Sequence, residues 1–410
     1  MTNETINVPE LRFPEFEGEW DEKELGDIGE KVKTKNKFEK FDETFTNSAE
    51  QGIVSQKEYF EKDISNSKNL SNYYVVENND FVYNPRISNY APVGPINRNK
   101  LKRTGVMSPL YTIFKMRKVD YTFCEYFFSS TKWHNFMKFN GDSGARSDRF
   151  SIKDSIFFKM PIKVPTNLEQ QKIGDFFSKL DRQIELEEEK LELLEQQKRG
   201  YMQKIFSQEL RFKDANGNSY PKWEQEKLDD VANYRRGSFP QPYGKREWYD
   251  EINGEPFVQV VDVDKNMKLH DQTKQKISNL AKPKSVKGFI GDIVVTLQGS
   301  IGRVAILQYD AYIDRTLLLI NSFKKEMNKD YFKYVLYLLF LKEKERAPGG
   351  TIKTITKTVL SNFEIDVPII EEQEKIGNLF NAFDKTIEIQ GDKINFLKQR
   401  KQGLLQKMFV

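Results

Sequence analysis

Residues 162–206 read IKVPTNLEQQKIGDFFSKLDRQIELEEEKLELLEQQKRGYMQKIF, and residues 365–409 read IDVPIIEEQEKIGNLFNAFDKTIEIQGDKINFLKQRKQGLLQKMF. The two stretches align without a gap at an offset of 203, and 20 of the 45 paired positions are identical. Val164-Pro165, Glu169-Gln170 and Lys172-Ile173-Gly174 recur as Val367-Pro368, Glu372-Gln373 and Lys375-Ile376-Gly377. At the far end Gln203-Lys204 and Phe206 recur as Gln406-Lys407 and Phe409. Chance does not produce such a match. The chain carries an internal duplication, the feature to look for before any motif.

Each copy reads as one long helix. After Pro165 and Pro368 neither contains another proline, and Thr166 with Glu169 has the spacing of a capping box. The second copy has Ile369 at the Thr166 position, so its start is less clearly signalled. A helix of ~38 residues would be about 57 Å long. Apolar residues recur at alternating steps of four and three, the coiled-coil pattern. In the first copy the seam runs Ile173, Phe177, Leu180, Ile184, Leu191, Leu194, with Glu187 and Lys198 interrupting it. In the second it runs Ile376, Phe380, Phe383, Ile387, Ile394, Leu397, interrupted by Gln390 and Lys401 at the same two places. A polar seam residue fixes register at a cost in stability, so matched interruptions predict that the helices pair with each other. Gly200 and Gly403 sit near the helix ends, where glycine costs ~1 kcal/mol. A close backbone approach or a bend is the expected reason.

The duplication extends outward. Glu10-Leu11-Arg12-Phe13 recurs as Glu209-Leu210-Arg211-Phe212, directly after the first long helix. Trp20, Leu25, Asp27 and Ile28 match Trp223, Leu228, Asp230 and Val231. Asn79-Asp80-Phe81-Val82-Tyr83 matches Gly291-Asp292-Ile293-Val294-Val295, a turn followed by a strand. The expected domains are a globule over 1–164, a spacer helix over 165–207, a second globule over 208–367 and a second helix over 368–410. Because one motif both opens the chain and follows the first helix, the pattern is circular and the termini should meet. A closed two-fold relation between the copies would make the helices antiparallel and put a globule at each end, in inverted senses. The expected fold is α+β: two pseudo-two-fold-related globular domains separated by a pair of long antiparallel coiled-coil helices.

Composition sets outer limits. Of 410 residues, 65 are Lys or Arg and 61 Asp or Glu, a net +4 that permits nucleic-acid binding without indicating it. A single cysteine, Cys124, excludes a disulfide framework and fits a reducing cytoplasm. With that cysteine and only His134 and His270, far apart in sequence, a zinc site is not expected. No apolar run reaches the 18 or so residues of a membrane span, and Met1–Pro9 has no secretory signal. There is no P-loop. Asn84-Pro85-Arg86 lacks the second proline of an amino-methyltransferase tetrad, and Gly299-Ser300-Ile301-Gly302 lacks the third glycine of a dinucleotide loop. Two histidines support no convincing Ser/His/Asp or Cys/His arrangement. The chain reads as a reader of something, not a catalyst.

Within the globules, strands are expected at Ile293–Thr296, Val304–Leu307 and Leu317–Ile320, and single helices over Cys124–Phe139 and Lys329–Lys344. Several loops combine Gly or Pro with Arg, Lys, Asn and Ser, the residues that contact base edges and phosphates. In the first globule the candidates are Asn84, Arg86, Arg98, Lys102, Arg103, Ser143, Arg146 and Arg149. In the second they are Arg235, Arg236, Ser238, Lys245, Arg246, Gln298, Ser300, Arg303, Thr351 and Lys353. Tyr83, Tyr90 and Tyr234 could contact bases but read more naturally as core or loop packing.

Taken together, the two Pro…Glu-Gln-x-Lys-Ile helix entries at Pro165 and Pro368 and the turn-strand motifs at Asp80 and Asp292 resemble the specificity subunit of type I restriction-modification enzymes. The resemblance covers essentially the whole chain. It implies two target-recognition domains, each reading one half of a split, asymmetric sequence in double-stranded DNA, with the helices setting the gap. It further implies two methylation subunits docked on the chain, which methylate adenine N6, and restriction subunits that translocate and cleave DNA. S-adenosylmethionine, ATP and magnesium would then belong to those partners, and no cofactor or metal to this chain. Two other readings remain open: a coiled-coil scaffold that binds only protein, and a stand-alone DNA-binding adaptor without a methyltransferase.

Overall fold

The computed structural model describes residues 7–60, 70–142, 148–346 and 357–410. The chain divides into two compact units, residues 1–190 with 391–410, and residues 191–390. The two long helices are Asn167–Phe206, of 40 residues, and Ile370–Met408, of 39. At 1.5 Å per residue each is about 60 Å long. The division falls inside both helices. Each unit therefore holds one globule, the first half of the helix that follows it, and the last half of the other helix.

In the first unit a four-stranded antiparallel sheet runs in the order Gly29–Lys31, Thr112–Met116, Phe81–Tyr83, Ile96–Arg98. A separate ribbon pairs Asp21–Glu24 with Pro161–Val164. The second unit repeats the sheet in the order Ala232–Arg236, Leu317–Phe323, Ile293–Thr296, Val304–Ile306, and the ribbon as Glu224–Lys227 with Glu364–Val367. It adds a second four-stranded sheet, Gln275–Ile277, Glu255–Val258, Ala311–Ile313, Val286–Gly288, where the described residues of the first unit form two-stranded pairs. The globules diverge there while the sheets beside the helices match.

The matched turns before the inner strands show why those residues recur. Asn79 and Gly291 both adopt positive φ, +71° and +86°, a conformation Gly and Asn tolerate best. The Asp that follows is buried, and its carboxylate accepts a backbone N–H, from Glu77 for Asp80 (2.8 Å) and from Phe289 for Asp292 (2.9 Å). Burial raises both carboxyls above their ordinary pKa, Asp80 to about 6.

The cores are aromatic. In the first unit Phe81, Phe114, Phe123, Phe127, Phe128 and Phe157 pack with Ile173 and Phe177 of one long helix and Leu405, Met408 and Phe409 at the end of the other. In the second, Tyr331, Phe332, Tyr334 and Phe340 pack with Ile376, Phe380, Met202 and Ile205. Phe177 stacks on Phe409 and Phe380 on Phe206, both with centroids 6.1 Å apart. A helix start, the other helix's end and a globule thus share one core in each unit.

Helix pairing is antiparallel within each unit. In the first, Asp181 pairs with Lys401 and Glu187 with Lys393, so advancing along one helix retreats along the other. Leu180 and Ile184 meet Leu397 between them. In the second, Lys198 pairs with Asp384 while Phe206 reaches Phe380. The polar interruptions Lys198 and Lys401 are thus ion-pair positions. Ile394 is buried, and Leu191, Leu194, Phe383 and Ile387 are half-buried.

Three expectations need correction. The single helix over Cys124–Phe139 is two, Tyr121–Ser129 and His134–Asn140. Ser130 ends the first with its hydroxyl on Phe127 O (2.6 Å), and buried Trp133 donates to Phe128 O (3.0 Å). Side chains thereby take up carbonyls that a continuous helix would use. The capping box is only half formed: Thr166 Oγ1 accepts the Glu169 N–H at 3.4 Å, but the Glu169 carboxylate turns to Arg12. Finally, a Cβ at Gly200 or Gly403 would meet nothing within 4 Å, so close approach does not account for them.

Candidate nucleic-acid interface

The residues that recur most faithfully bolt each globule to its helix. Arg12 makes a two-pronged bond to Glu169, 2.8 Å on each oxygen, and Arg211 likewise grips Glu372 at 3.1 and 2.5 Å. Both glutamates are fully buried. A buried carboxylate is tolerated when matched by a planar fork of donors. Trp223 Nε1 adds a bond to Glu372 (2.9 Å). The neighbouring glutamines act as staples. Gln170 accepts from Asp120 N and donates to Pro165 O, both 2.8 Å. Gln373 accepts from Asn328 N at 2.9 Å and donates to Pro368 O at 2.8 Å. Asp120 and Asn328 in turn accept backbone N–H bonds at the starts of the globules' helices. Gly174 and Gly377 permit this approach: a Cβ would lie 3.2 Å from Thr122 Cβ and 2.8 Å from Asn328 Oδ1. The segment after residue 7 also meets the end of the second long helix, with Leu11 N donating to Lys407 O at 2.9 Å.

On this rigid base the candidate contact residues fall into three groups. Some are spent on the protein itself. Arg98 is ion-paired to Glu125 at 2.6 Å. Arg103 makes a fork with Glu43, with bonds of 2.8 to 3.0 Å. Arg303 donates to Val263 O at 2.8 Å, and Asn84 to Asn47 O at 2.7 Å. Lys245 is exposed but paired with Glu247 at 3.2 Å, over the Trp248 ring. Ser238 Oγ donates to Lys284 O at 3.0 Å, and Gln298 is also engaged. The exposed Ser300 gives its carbonyl to Thr296.

A second group stays presented. Arg86 and Arg149 are backbone neighbours in an antiparallel bridge, with no side-chain partner among the described residues. Arg235, Arg236 and Arg246 are exposed and likewise unpaired there. Arg236 leads into Gly237, where a Cβ would sit 2.2 Å from Asp314 O, so only glycine lets the chain cross the 313–317 turn. Beside that crossing is a cleft of about 310 Å³ lined by Tyr243, Gln259, Lys274, Gln275, Asp314 and Thr316. The Tyr243 hydroxyl is bonded to Asp314, and burial and that carboxylate raise its pKa. Lys102 is exposed at a groove of about 890 Å³, which also holds Glu125, Asp181, Glu185 and Glu188 and so has mixed charge. The third group, Ser143, Arg146, Thr351 and Lys353, lies outside the described residues.

Sequence reading missed one feature. Lys33, Lys35, Lys37 and Lys40 follow the edge strand Gly29–Lys31 and are exposed, and none makes an ion pair among the described residues. The available signal was lysine at every second position from Lys31 to Lys37. The corresponding edge strand of the second unit, Ala232–Arg236, ends in Arg235 and Arg236. Both sheets are therefore cationic and unpaired at the same topological place.

Among the described residues no group of three or more His, Cys, Asp or Glu could hold a metal ion, and no helix is long and apolar enough to cross a membrane. Cys124 is a buried free cysteine, and burial raises its thiol's pKa.

The family model described as the type I restriction modification DNA specificity domain matches the chain twice, over residues 17–196 and 220–399. Among curated proteins, a putative type I restriction enzyme MjaX specificity subunit from Methanocaldococcus jannaschii is 26% identical over 63% of this chain and 61% of its own length. The MjaVIII specificity subunit of the same organism is 25% identical over 50% of this chain and 46% of its own. The matched region thus spans about half to three fifths of these relatives. Among solved structures, a chain from a study of complex assembly and conformational transition of the type I R-M system superposes with a TM-score of 0.60. It is 16% identical over 95% of this chain and 97% of that one. The S subunit of a type I restriction-modification system from M. genitalium gives 0.56, at 14% identity over 98% and 99%. At these identities the likeness is one of fold.

Proposed function

Because the chain belongs to the type I restriction modification DNA specificity domain family, with two copies of that domain, we propose that it is the sequence-reading subunit of a type I restriction-modification complex. Each unit reads one half of a split target in duplex DNA. The observation that carries this reading is the unpaired cationic edge at the same place on both duplicated sheets, Lys33–Lys40 and Arg235–Arg236. Such cations hold phosphates with salt-dependent affinity, while a few side chains discriminate bases at ~1–3 kcal/mol each. Arg86, Arg149, Arg246 and the cleft beside Tyr243 are the best-presented candidates for the second task. Arg98, Arg103 and Arg303 serve instead to stiffen the loops that carry them.

The catalytic steps belong to other subunits: S-adenosylmethionine, ATP and magnesium act there, and two methylation subunits dock on this chain. Exposed apolar residues on the long helices support docking. Leu186 and Phe396 in the first unit, and Leu193 and Ile389 in the second, are uncovered, and they are equivalent in pairs across the repeat. An apolar position repeated on a solvent face favours a protein partner.

Adenine-methylation mapping tests the function, in cells carrying the chain with its methyltransferase and in cells lacking the chain. One bipartite, asymmetric N6-methyladenine motif should appear and vanish with the chain, and exchanging residues 1–161 for those of a relative should change one half only. A methylation pattern indifferent to the chain would leave protein scaffolding as the better reading.

A further inference from the structure

Phe38 is 98% exposed, so almost nothing among the described residues touches its ring. It is also held in the left-handed region, at φ 70° and ψ 9°, and Glu39 follows at φ 50°. Bulky residues adopt that backbone only when the surroundings impose it. The surroundings here are Asn36, buried at 2% exposure. Its side chain donates to Phe41 O at 2.7 Å and accepts from Phe41 N at 3.1 Å. Its backbone N–H donates to Tyr73 O at 2.9 Å, and its carbonyl accepts from Glu39 N at 3.0 Å. One asparagine thus closes both ends of a four-residue tip and fixes it to the globule. The tip presents a bare aromatic ring between Lys37 and Glu39, in a segment whose Lys33, Lys35, Lys37 and Lys40 are all exposed.

We propose that Phe38 is a DNA wedge, a ring that enters between base pairs of the half-site read by the first unit while the four lysines hold the flanking phosphates. The inference rests on the DNA-reading function proposed above and adds a specific contact to it. The charge argues for DNA over protein: residues 33–40 carry four exposed lysines, none ion-paired among the described residues, against the one acid Glu39. A wedge that partly unstacks a base step kinks the duplex and adds contact area. A ring on a preset loop spends little entropy in doing so. The second unit has no equivalent among its described residues: the matching segment turns inward as Phe239, packed on Phe257 with centroids 4.5 Å apart. Only one half-site would be unstacked.

The test uses the full chain with its methylation subunits and a duplex bearing the mapped methylation motif. 2-Aminopurine is placed at successive positions, including the methylated adenine. The native complex should brighten at the methylated adenine, through extrusion by the methyltransferase, and at one further step in the first unit's half-site. Phe38→Ala should lose only the second signal and bind about tenfold more weakly, with the salt dependence unchanged. Phe38→Trp should retain the signal. A Lys35→Gln/Lys37→Gln double variant should keep it while lowering the salt slope by about 0.9 for each phosphate no longer neutralised. Equal binding and unstacking by Phe38→Ala would overturn the wedge and leave DNA reading intact. Loss of the methylation subunits from Phe38→Ala would also overturn it and make the tip a protein-docking element. Failure of the native complex to bind the duplex would overturn both readings.

Discussion

Asp80 shows how a single residue type is fixed by local geometry and then carries a pH signature. Its carboxylate caps the turn before Phe81–Tyr83, and the surrounding core raises its pKa to about 6 from an ordinary 3.8. A raised carboxyl binds its proton more tightly folded than unfolded. Its contribution is therefore fully present below pH ~4 and is lost as pH rises through ~6. Asn can accept the same Glu77 N–H without titrating. Between pH 4 and 7 the native chain should lose about 2 kcal/mol that Asp80→Asn keeps. Hydrogen exchange of the Phe81–Tyr83 amides, corrected for intrinsic rates, would read the difference, and parallel pH profiles would refute it. The aspartate was legible from its repeat at Asp292. Its burial was not, because sequence shows recurrence but not what packs over a side chain.

At the scale of the element, the five glycines of the long helices separate into two kinds that sequence alone could not tell apart. Gly174 and Gly377 face the starts of Tyr121–Ser129 and Lys329–Arg346 at near-contact distance, whereas Gly200, Gly391 and Gly403 face open space. Ala at Gly200 or Gly403 should therefore stabilise the chain by up to about 1 kcal/mol through helix propensity. Ala at Gly377 should destabilise it, since Asn328 Oδ1 and the Tyr331 backbone stand in the way. Urea midpoints of the three variants give the comparison, and a lower midpoint for Gly200→Ala would refute the propensity argument. The helices themselves were readable because their period and repeat are dense. The break at Ser130 was not, because it depends on where Trp133 is buried.

For the whole molecule, the duplication and the family placement make spacing the property to test. If the long helices set the gap between half-sites, deleting one heptad from each at matched places, residues 186–192 and 389–395, should preserve the seam and change only the gap. The methylation motif should then keep both half-sequences while its unspecified middle changes length. An unchanged middle would show that the gap is set elsewhere.

What the sequence determined by itself was the architecture: two α+β globules, two long helices, the antiparallel partners and the meeting of the termini. These follow from periodicity and from an internal copy, which need no knowledge of distant contacts. The tertiary structure decided which cations are free. Arg98, Arg103 and Arg303 look in sequence like Arg86, Arg149 and Arg236, and only the fold reveals that Glu125, Glu43 and the Val263 carbonyl claim the first three. It also exposed Lys33–Lys40 and the ring of Phe38. A side chain's availability is set by what the rest of the chain brings within about 3 Å of it, and no local pattern records that.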